Sequence, residues 1–175
     1  MITKDNNYRV MELFFKSPTK GFHMREMARL TGLSSTGIIK IIKKLKKEKI
    51  LISEKTRNVE LVKPDFEGRF VLLKRLYNLC SLYDLKLVDF LREHFEMPKA
   101  IILFGSYADG TDNENSDIDI AVVTNKKAMP NFQPYEGKLQ RKINLYAMDM
   151  AKTPNEFKNS LANGIVLDGF LEVLP

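Results

Sequence analysis

Residues 101–123 read IILFGSYADGTDNENSDIDIAVV, and this stretch decides the fold of the back half of the chain. Two apolar runs, 101–104 and 118–123, bracket a polar segment that begins with Gly105 and Ser106. Apolar runs of this length bounded by turn residues predict a strand, a turn, a short helix and a second strand. The polar side chains that carry chemistry then lie at the inner ends of the two strands.

Asp117 and Asp119 lie two residues apart where the second strand begins. Side chains alternate along a strand, so both carboxylates project from one face while Ile118 points to the other. Two like charges so close repel unless a cation lies between them, and carboxylate oxygens suit Mg²⁺ that carries nucleotide phosphates. At the end of the first strand, Gly105 lets the backbone approach a phosphate, and the Ser106 hydroxyl and helix N–H groups are donors. The pattern predicts a site for Mg²⁺ and a nucleoside triphosphate.

Two other motifs for phosphate or cation binding do not fit this stretch. No Lys follows the glycines as in a P-loop, and residues 112–114 lack the central Gly and the terminal Glu of an EF-hand. An ordinary structural turn would explain the glycines, but it would not explain two aspartates that face one way beside a buried strand.

The motifs FGSYADG at residues 104–110 and SDIDIAV at residues 116–122 resemble the minimal nucleotidyltransferase domains of the DNA polymerase beta superfamily. The hallmark of that family is a GS turn followed by a DxD strand, and the resemblance covers about residues 98–170. It implies a mixed sheet with flanking helices, and Mg²⁺ and NTP bound at the GS and DxD edges. It also implies transfer of a nucleoside monophosphate to a hydroxyl, with pyrophosphate as the leaving group.

Two departures from the family pattern leave the enzymatic activity open. The family places a third carboxylate on a following strand, as a metal ligand and general base, and residues 142–148 laid on that strand put Asn144 there. An amide is a neutral, weaker ligand and accepts no proton. Asp149 faces the opposite way unless a bulge shifts the register, and Glu136 precedes the strand. Asp109, where many relatives carry a basic residue, opposes a triphosphate. The expected catalytic residues are Asp117, Asp119 and Asn144.

The front half of the chain is basic and the back half slightly acidic. Residues 1–64 carry 15 Lys and Arg against 6 Asp and Glu, and the remainder has a net charge of −3. This division predicts two modules, of which the first faces a polyanion. Two short helical patterns, a turn at Gly32, a third helix with N-cap hydroxyls offered by Ser34, Ser35 and Thr36, and two strands with a basic tip resemble a winged helix-turn-helix domain of prokaryotic transcription regulators.

The third helix and the hairpin tip supply the expected contacts to double-stranded DNA. The apolar residues Ile38, Ile39, Ile41, Ile42 and Leu45 are expected to face inward and leave the lysines outside. In a winged helix the third helix enters the major groove and the wing reaches phosphate or the minor groove. A lysine-rich face is also compatible with a simple solvated surface, but the lysines concentrate on one helix and continue in the wing. The expected DNA-binding residues are Ser34, Ser35, Thr36, Lys40, Lys43, Lys44, Lys55 and Arg57.

Residues 66–95 carry apolar side chains nearly all round a helical projection and predict one long helix. Such a helix is buried on more than one side, against the flanking modules or a second subunit, and this favours a homodimer. After the central stretch we expect a loop over residues 125–138, a strand, a last helix and an apolar tail that covers the sheet. The expected architecture is α+β, with a winged helix-turn-helix domain at 1–64, a linker helix at 65–97 and a nucleotidyltransferase-like domain at 98–175.

No hydrophobic signal region opens the chain, and no apolar run is long enough to span a membrane. The single cysteine, Cys80, forms no internal disulfide. These features predict a cytoplasmic protein with no membrane partner.

Two functions remain open from the sequence. The first is a DNA-binding protein whose nucleotidyltransferase-like domain binds Mg-NTP, and either transfers NMP to a hydroxyl of a protein, tRNA or small molecule or binds the nucleotide as a signal. The second is a transcription regulator whose domain is catalytically silent and serves dimerisation or binding of a toxin-like partner. The retained pair Asp117 and Asp119 favours metal binding, whereas Asn144 favours silence.

Overall fold

The structure is a computed structural model that describes residues 5–56, 59–126 and 128–172. The chain divides into two compact units, Met1–Lys74 and Arg75–Pro175, which we call the front unit and the back unit. Each unit is described by itself below.

The front unit contains three helices followed by a two-stranded antiparallel hairpin. These elements are α1 (Asn6–Lys16), α2 (Met24–Thr31), α3 (Ser35–Lys47), β1 (Leu51–Thr56) and β2 (Val59–Pro64). The side chain of Ser34 accepts a hydrogen bond from the N–H of Gly37 at 3.1 Å, so the predicted cap of α3 is confirmed. Phe22 exchanges backbone hydrogen bonds of 2.9 Å with Val62 and so forms an isolated antiparallel bridge to β2 of the hairpin.

The core of the front unit lies between the three helices and the hairpin. Phe14 packs edge to face on Phe22 at a centroid distance of 5.2 Å. Residues Ile38, Ile42 and Leu45 of α3 are buried, as predicted, but Ile39 is 54% exposed. Each helical residue is rotated by about 100° from the one before, so a stripe centred on Ile38 and Ile42 cannot also turn Ile39 inward. The prediction that Ile39 faces the core was therefore wrong.

The segment predicted as one long linker helix consists of two helices, α4 (Phe70–Asp84) and α5 (Leu87–His94). Lys86 separates them with a left-handed φ of 57°, a conformation that costs roughly 1–2 kcal/mol for a residue with a side chain. The break turns α5 so that its apolar side packs on the sheet of the back unit. Among the described residues, no helix has the length and apolar character that crossing a membrane requires.

The back unit is built on a four-stranded mixed sheet with the order β5-β4-β3-β6. Strand β3 pairs antiparallel with β4 and with β6, whereas β4 and β5 run parallel. This mixed sheet with helices on it fits the expected α+β nucleotidyltransferase fold. Its elements are β3 (Ala100–Phe104), α6 (Gly105–Asp109), β4 (Ile118–Val123), α7 (Gln133–Leu139), β5 (Ile143–Met148), α8 (Asn155–Ala162) and β6 (Ile165–Gly169).

The two faces of the sheet are covered by different helices. Ile101, Leu103, Ile120 and Val122 form one face, which packs on α5 and belongs to the larger core cluster. Ile102, Phe104, Ala121 and Val123 form the opposite face, where Leu161 and Phe157 of α8 pack. We call this second face the α8 face.

Two expectations for the back unit were wrong. The segment 125–138 was expected to be a loop, but it contains most of α7, whose first N–H is capped by the side chain of Asn131 at 3.0 Å. The expected apolar tail is the strand β6, which pairs with β3. All five residues of β3 are buried, so this strand needs a hydrogen-bonded neighbour on each side.

Candidate nucleotide and metal site

Three strand ends meet at one edge of the α8 face. Strand β3 ends at Phe104, which lies opposite Asp119 in the antiparallel ladder, and Asp119 in turn lies beside Asn144 in the parallel ladder. Residues paired directly across a ladder share a face of the sheet. Phe104, Asp119 and Asn144 therefore lie side by side across the three strands.

Asn144 contacts both aspartates. Its amide nitrogen donates to Oδ2 of Asp117 at 3.2 Å and to Oδ1 of Asp119 at 3.1 Å. All three side chains are half-buried. The amide hydrogens thus lie between two carboxylates that would otherwise repel each other, in the position where a cation would compensate the same charges.

Gly105 fits closely against the second carboxylate. Its φ is +72°, in the left-handed region, and a Cβ built on it would lie 2.8 Å from Oδ2 of Asp119. Any side chain at this position would strain the backbone and displace the carboxylate. Ser106 follows in the first turn of α6, half-buried, and its carbonyl accepts the N–H of Thr111 at 3.0 Å, which closes the turn after α6.

Of the other acidic candidates, Glu136 lines the same shallow cavity as Asp117, whereas Asp149 and Asp109 do not. Oε1 of Glu136 accepts the N–H of Ile143 at 2.9 Å and so fixes the start of β5. Asp149 follows the far end of β5, where its side chain accepts the N–H of Ala151 at 3.0 Å and caps a short 3-10 turn. Asp109 is exposed at the end of α6. Neither a bulge nor a shifted register brings Asp149 to the row of Asn144.

A buried polar cluster that the sequence analysis missed lies behind the site. Asn78 of α4 donates to Oδ1 of Asp112 at 2.7 Å and to the carbonyl of Tyr107 at 2.9 Å. Arg141, directly before β5, lies 3.8 Å from Oδ2 of Asp112, and their side chains are only 8% and 0% exposed. The cluster ties the loop between α6 and β4 to α4 and to the start of β5. Burial, aided by the charge of Asp112, raises the pKa of the Tyr107 phenol, which therefore stays neutral.

One signal for this cluster was present in the sequence. Asn78 lies in a largely apolar helical pattern, and a buried polar side chain needs partners. Its partners lie 29 and 34 residues away, at Tyr107 and Asp112, so spacing alone did not identify them.

The donor set of the site fits Mg²⁺ that is held jointly with a nucleotide. Within the described part of the chain, no group of three or more His, Cys, Asp or Glu is arranged to hold a metal ion. Asp117 and Asp119 supply two carboxylates, and rotation of the Asn144 amide would turn its oxygen toward the same point. Mg²⁺ prefers such hard oxygen ligands and completes its octahedron with water and phosphate oxygens. Two protein carboxylates are therefore a sufficient anchor only when phosphates are also present.

The expected DNA-binding residues of the front unit are solvent-exposed. This holds for Ser34, Ser35, Thr36, Lys40, Lys43, Lys44 and Lys55, whereas Arg57 lies outside the described residues. Lys44 lies 4.0 Å from Glu48, and Lys46 donates to the hydroxyl of Ser53 at 2.6 Å. Lys40 and Lys43 lie on the exposed side of α3 together with Thr36 and Ile39.

Comparison with known proteins agrees with the geometry of the back unit. Residues 85–168 match the family described as Polymerase beta, Nucleotidyltransferase. A stretch of 43 residues is 48% identical to the protein adenylyltransferase MntA of Shewanella oneidensis. This match covers 25% of this chain and 31% of that protein. The match thus spans less than a third of the length of that relative.

Two crystal structures of toxin-antitoxin proteins are also similar over part of the chain. A toxin-antitoxin with AMP-PNP shares 28% identity over 49% of this chain and 72% of that one, with a TM-score of 0.39. A mutant of the toxin-antitoxin MntA-HpeT shares 24% identity over 49% of this chain and 71% of that one, with a TM-score of 0.38. The family match, together with the mixed sheet and its strand ends, supports a nucleotidyltransferase fold for residues 85–168.

Proposed function

We propose that the chain is a DNA-binding protein whose back unit binds a nucleoside triphosphate with Mg²⁺ and transfers NMP to a hydroxyl of a partner protein. The observation that carries the proposal is the convergence of Asp117, Asp119 and Asn144 beside Gly105. The acceptor class is taken from the local similarity to a protein adenylyltransferase.

Each residue of the site has a distinct role in this proposal. Asp117 and Asp119 would hold Mg²⁺, which when bound neutralises phosphate charge and makes the α-phosphorus more electrophilic. Gly105 leaves room for the second carboxylate and for a phosphate next to the backbone, and the Ser106 hydroxyl is a donor to that phosphate. Lys142 is exposed and lines the same shallow cavity as Asp117, so it adds a positive charge near the phosphates.

The transfer itself is a substitution at phosphorus. The acceptor hydroxyl oxygen forms a bond to the α-phosphorus, the bond from that phosphorus to the α,β-bridging oxygen breaks, and pyrophosphate leaves with the electron pair. The hydroxyl proton passes to solvent, because the amide of Asn144 cannot accept it. General bases contribute about 10²–10⁴-fold to rate, so we expect transfer to be slow by that order.

The amide of Asn144 favours a second candidate function. A neutral donor that already bridges both carboxylates weakens the requirement for a cation and provides no base. In that case the domain binds nucleotide as a signal, or binds a partner, and the chain is a transcription regulator without catalysis.

Contact with double-stranded DNA is proposed for α3 and the hairpin. Helix α3 is capped at Ser34 and presents Thr36, Lys40 and Lys43 to solvent. Helix–turn–helix proteins insert the N-terminal part of their recognition helix in the major groove, where such residues reach phosphates and base edges. This face together with the net charge of the front half supports the proposal.

A homodimer is proposed through α4. Leu72, Leu76 and Tyr83 on this helix are 54%, 50% and 48% exposed, whereas Leu79, between them in sequence, is half-buried against the core of the back unit. Their spacing of four, three and four residues is that of a coiled-coil seam. A second copy of the chain would remove this stripe from water.

The enzymatic proposal is tested by incubating the protein with Mg²⁺ and each labelled NTP, with and without the protein encoded beside it. Pyrophosphate release that is lost in Asp117→Ala but kept in Asp89→Ala, an exposed acid on α5, supports transfer. Nucleotide binding without release supports the regulator instead. No binding of any Mg-NTP contradicts both functions of the site.

The DNA-binding proposal is tested by a mobility shift on duplex DNA at several salt concentrations. The double variant Lys40→Glu, Lys43→Glu should lose the shift, and the salt slope should fall by about one unit for each phosphate contact removed. The variant Lys138→Glu, Lys152→Glu makes the same change in net charge at exposed positions of the back unit and should bind like the unaltered chain. An equal loss in both variants would indicate net charge rather than the α3 face.

A further inference from the structure

Beside the carboxylates, the α8 face carries an aromatic cluster that the nucleotidyl-transfer step does not use. Tyr146, Phe104 and Phe157 contact one another, with ring centroids 5.5–5.6 Å apart. Phe104 is 9% exposed, whereas Tyr146 is 40% exposed. A buried ring, Phe104, and a half-buried ring, Phe157, therefore flank one ring that is open to solvent.

Tyr146 lies on the same strand and the same face as Asn144. The parallel ladder places Asn144 beside Asp119 and Tyr146 beside Ala121, so both project to the α8 face. Two residues along a strand are about 6.6 Å apart. In a nucleotide, the ribose separates the phosphates from the base by a similar distance. Phosphates at the carboxylates would thus place the base near the Tyr146 ring.

We propose that Tyr146 is the stacking platform for the nucleobase of the bound nucleoside triphosphate. The proposal rests on the function proposed above for the Asp117–Asp119 site. The neighbouring rings of Phe104 and Phe157 are tilted from Tyr146 by 59° and 52°, so neither covers it by parallel stacking. Because both rings hold Tyr146 in place, a base that stacks on it loses little entropy in ordering the protein.

The surroundings of the ring leave room for a base. Tyr146 and Phe157 line an open groove of about 1060 Å³ at the outer side of β5, together with Pro154, Thr153 and Met148. An aromatic ring stacks on every base, and purines offer the larger π surface. We therefore expect all four nucleotides to bind, with ATP and GTP ahead of CTP and UTP.

The test compares a ligand that has a base with one that does not. Binding of ATP and of inorganic tripolyphosphate to the full chain is measured by calorimetry in the presence of Mg²⁺. Tyr146→Ala should weaken ATP binding by about ten- to a hundredfold and leave tripolyphosphate binding unchanged. Tyr146→Phe keeps the ring and should bind ATP within about twofold of the unaltered chain. Phe170→Ala, which removes an exposed ring beyond the end of β6, should change neither ligand.

The outcomes separate the platform from the underlying site. If both ligands bind and Tyr146→Ala affects neither, or weakens both equally, the platform is wrong while the carboxylate site stands. If Tyr146→Phe loses ATP as strongly as Tyr146→Ala, the hydroxyl rather than the ring is used, and stacking is wrong. If neither ligand binds the unaltered chain, the proposed nucleotide site fails and the platform fails with it.

Discussion

Replacement of Asn144 by aspartate is expected to destabilise the protein without a divalent cation and to make its stability depend on Mg²⁺. The side chain keeps its size, so the change is electrostatic. In the present structure the amide donates to Asp117 and Asp119 at 3.2 and 3.1 Å. A carboxylate in the same place turns both hydrogen bonds into contacts between like charges.

The size of the effect can be worked out from these distances. Two charges about 4 Å apart repel by about 4 kcal/mol at an effective dielectric constant of 20 and by about 1 kcal/mol in bulk water. The three groups are half-buried, so two such contacts amount to roughly 2–8 kcal/mol. Protonation of the carboxyl introduced at position 144 limits the cost at pH 7 to about 4 kcal/mol, since three pKa units correspond to that energy. We therefore expect the free energy of unfolding to fall by about 2–4 kcal/mol.

The measurement is urea unfolding of the unaltered chain and of Asn144→Asp, in EDTA and in saturating Mg²⁺. A cation at a hundred times its dissociation constant adds about 2.7 kcal/mol, which restores most of the loss. Asn144→Ala removes the hydrogen bonds without adding charge and should show a smaller Mg²⁺ dependence than Asn144→Asp. Asn159→Asp, on the exposed side of α8, should change stability by no more than about 0.5 kcal/mol.

Two results would refute the electrostatic argument. Equal stability of Asn144→Asp and the unaltered chain in EDTA would mean that the three side chains do not converge. A loss that persists in saturating Mg²⁺ would mean that the trio does not bind a cation. If the rescue occurs and pyrophosphate release rises as well, the amide is what limits transfer in the natural sequence.

Three further changes test other parts of the structure. Gly105→Ala should lower the free energy of unfolding by about 1–2 kcal/mol and abolish most Mg-NTP binding, because φ at this position is +72° and the new Cβ meets a carboxylate. The control is Gly137→Ala on α7, whose Cβ meets no atom within 4 Å and which should be neutral or stabilising in thermal unfolding. Lys142→Ala should weaken Mg-NTP binding, measured by calorimetry, by roughly two- to fivefold at low salt. The effect should be smaller at high salt, because salt screens an exposed charge. Leu76→Glu should convert a dimer to a monomer in light scattering, and a monomeric unaltered chain would contradict the α4 interface.

The central stretch could be predicted in detail because its signals are local. Two apolar runs, a glycine that needs a left-handed φ, and aspartates with the period of a strand all lie within residues 101–123. The position of Asn144 followed from the family resemblance, with residues 142–148 laid on the strand that carries the third carboxylate, and the burial of Ile143 agrees with that register. Sequence spacing is a reliable guide when the partners share one strand or adjacent strands.

Other features depended on contacts that the sequence does not display. The cluster of Asn78, Asp112 and Arg141 joins three segments far apart in the chain. The break at Lys86 carries no proline or glycine, and it is stabilised by local backbone hydrogen bonds and by the packing of α5 on a sheet formed later in the sequence. Ile39 was assigned to the core on hydrophobicity, although the rotation of α3 is fixed by Ile38 and Ile42.

The parallel pairing of β4 and β5 has a consequence for the order of folding. Residues 124–142, with α7, connect β4 to β5 before Asn144 can reach the aspartates, whereas β3 and β4 are joined by the shorter connection of residues 105–117, with α6. Pairings over a long connection form late because the chain must first lose the entropy of closing that loop. The aspartates therefore meet Gly105 early, in a partly folded chain, and Asn144 joins them last. Protection of the β5 amides in pulsed hydrogen exchange should appear after that of β3 and β4, and a nucleotide that needs the complete trio would bind only the finished domain.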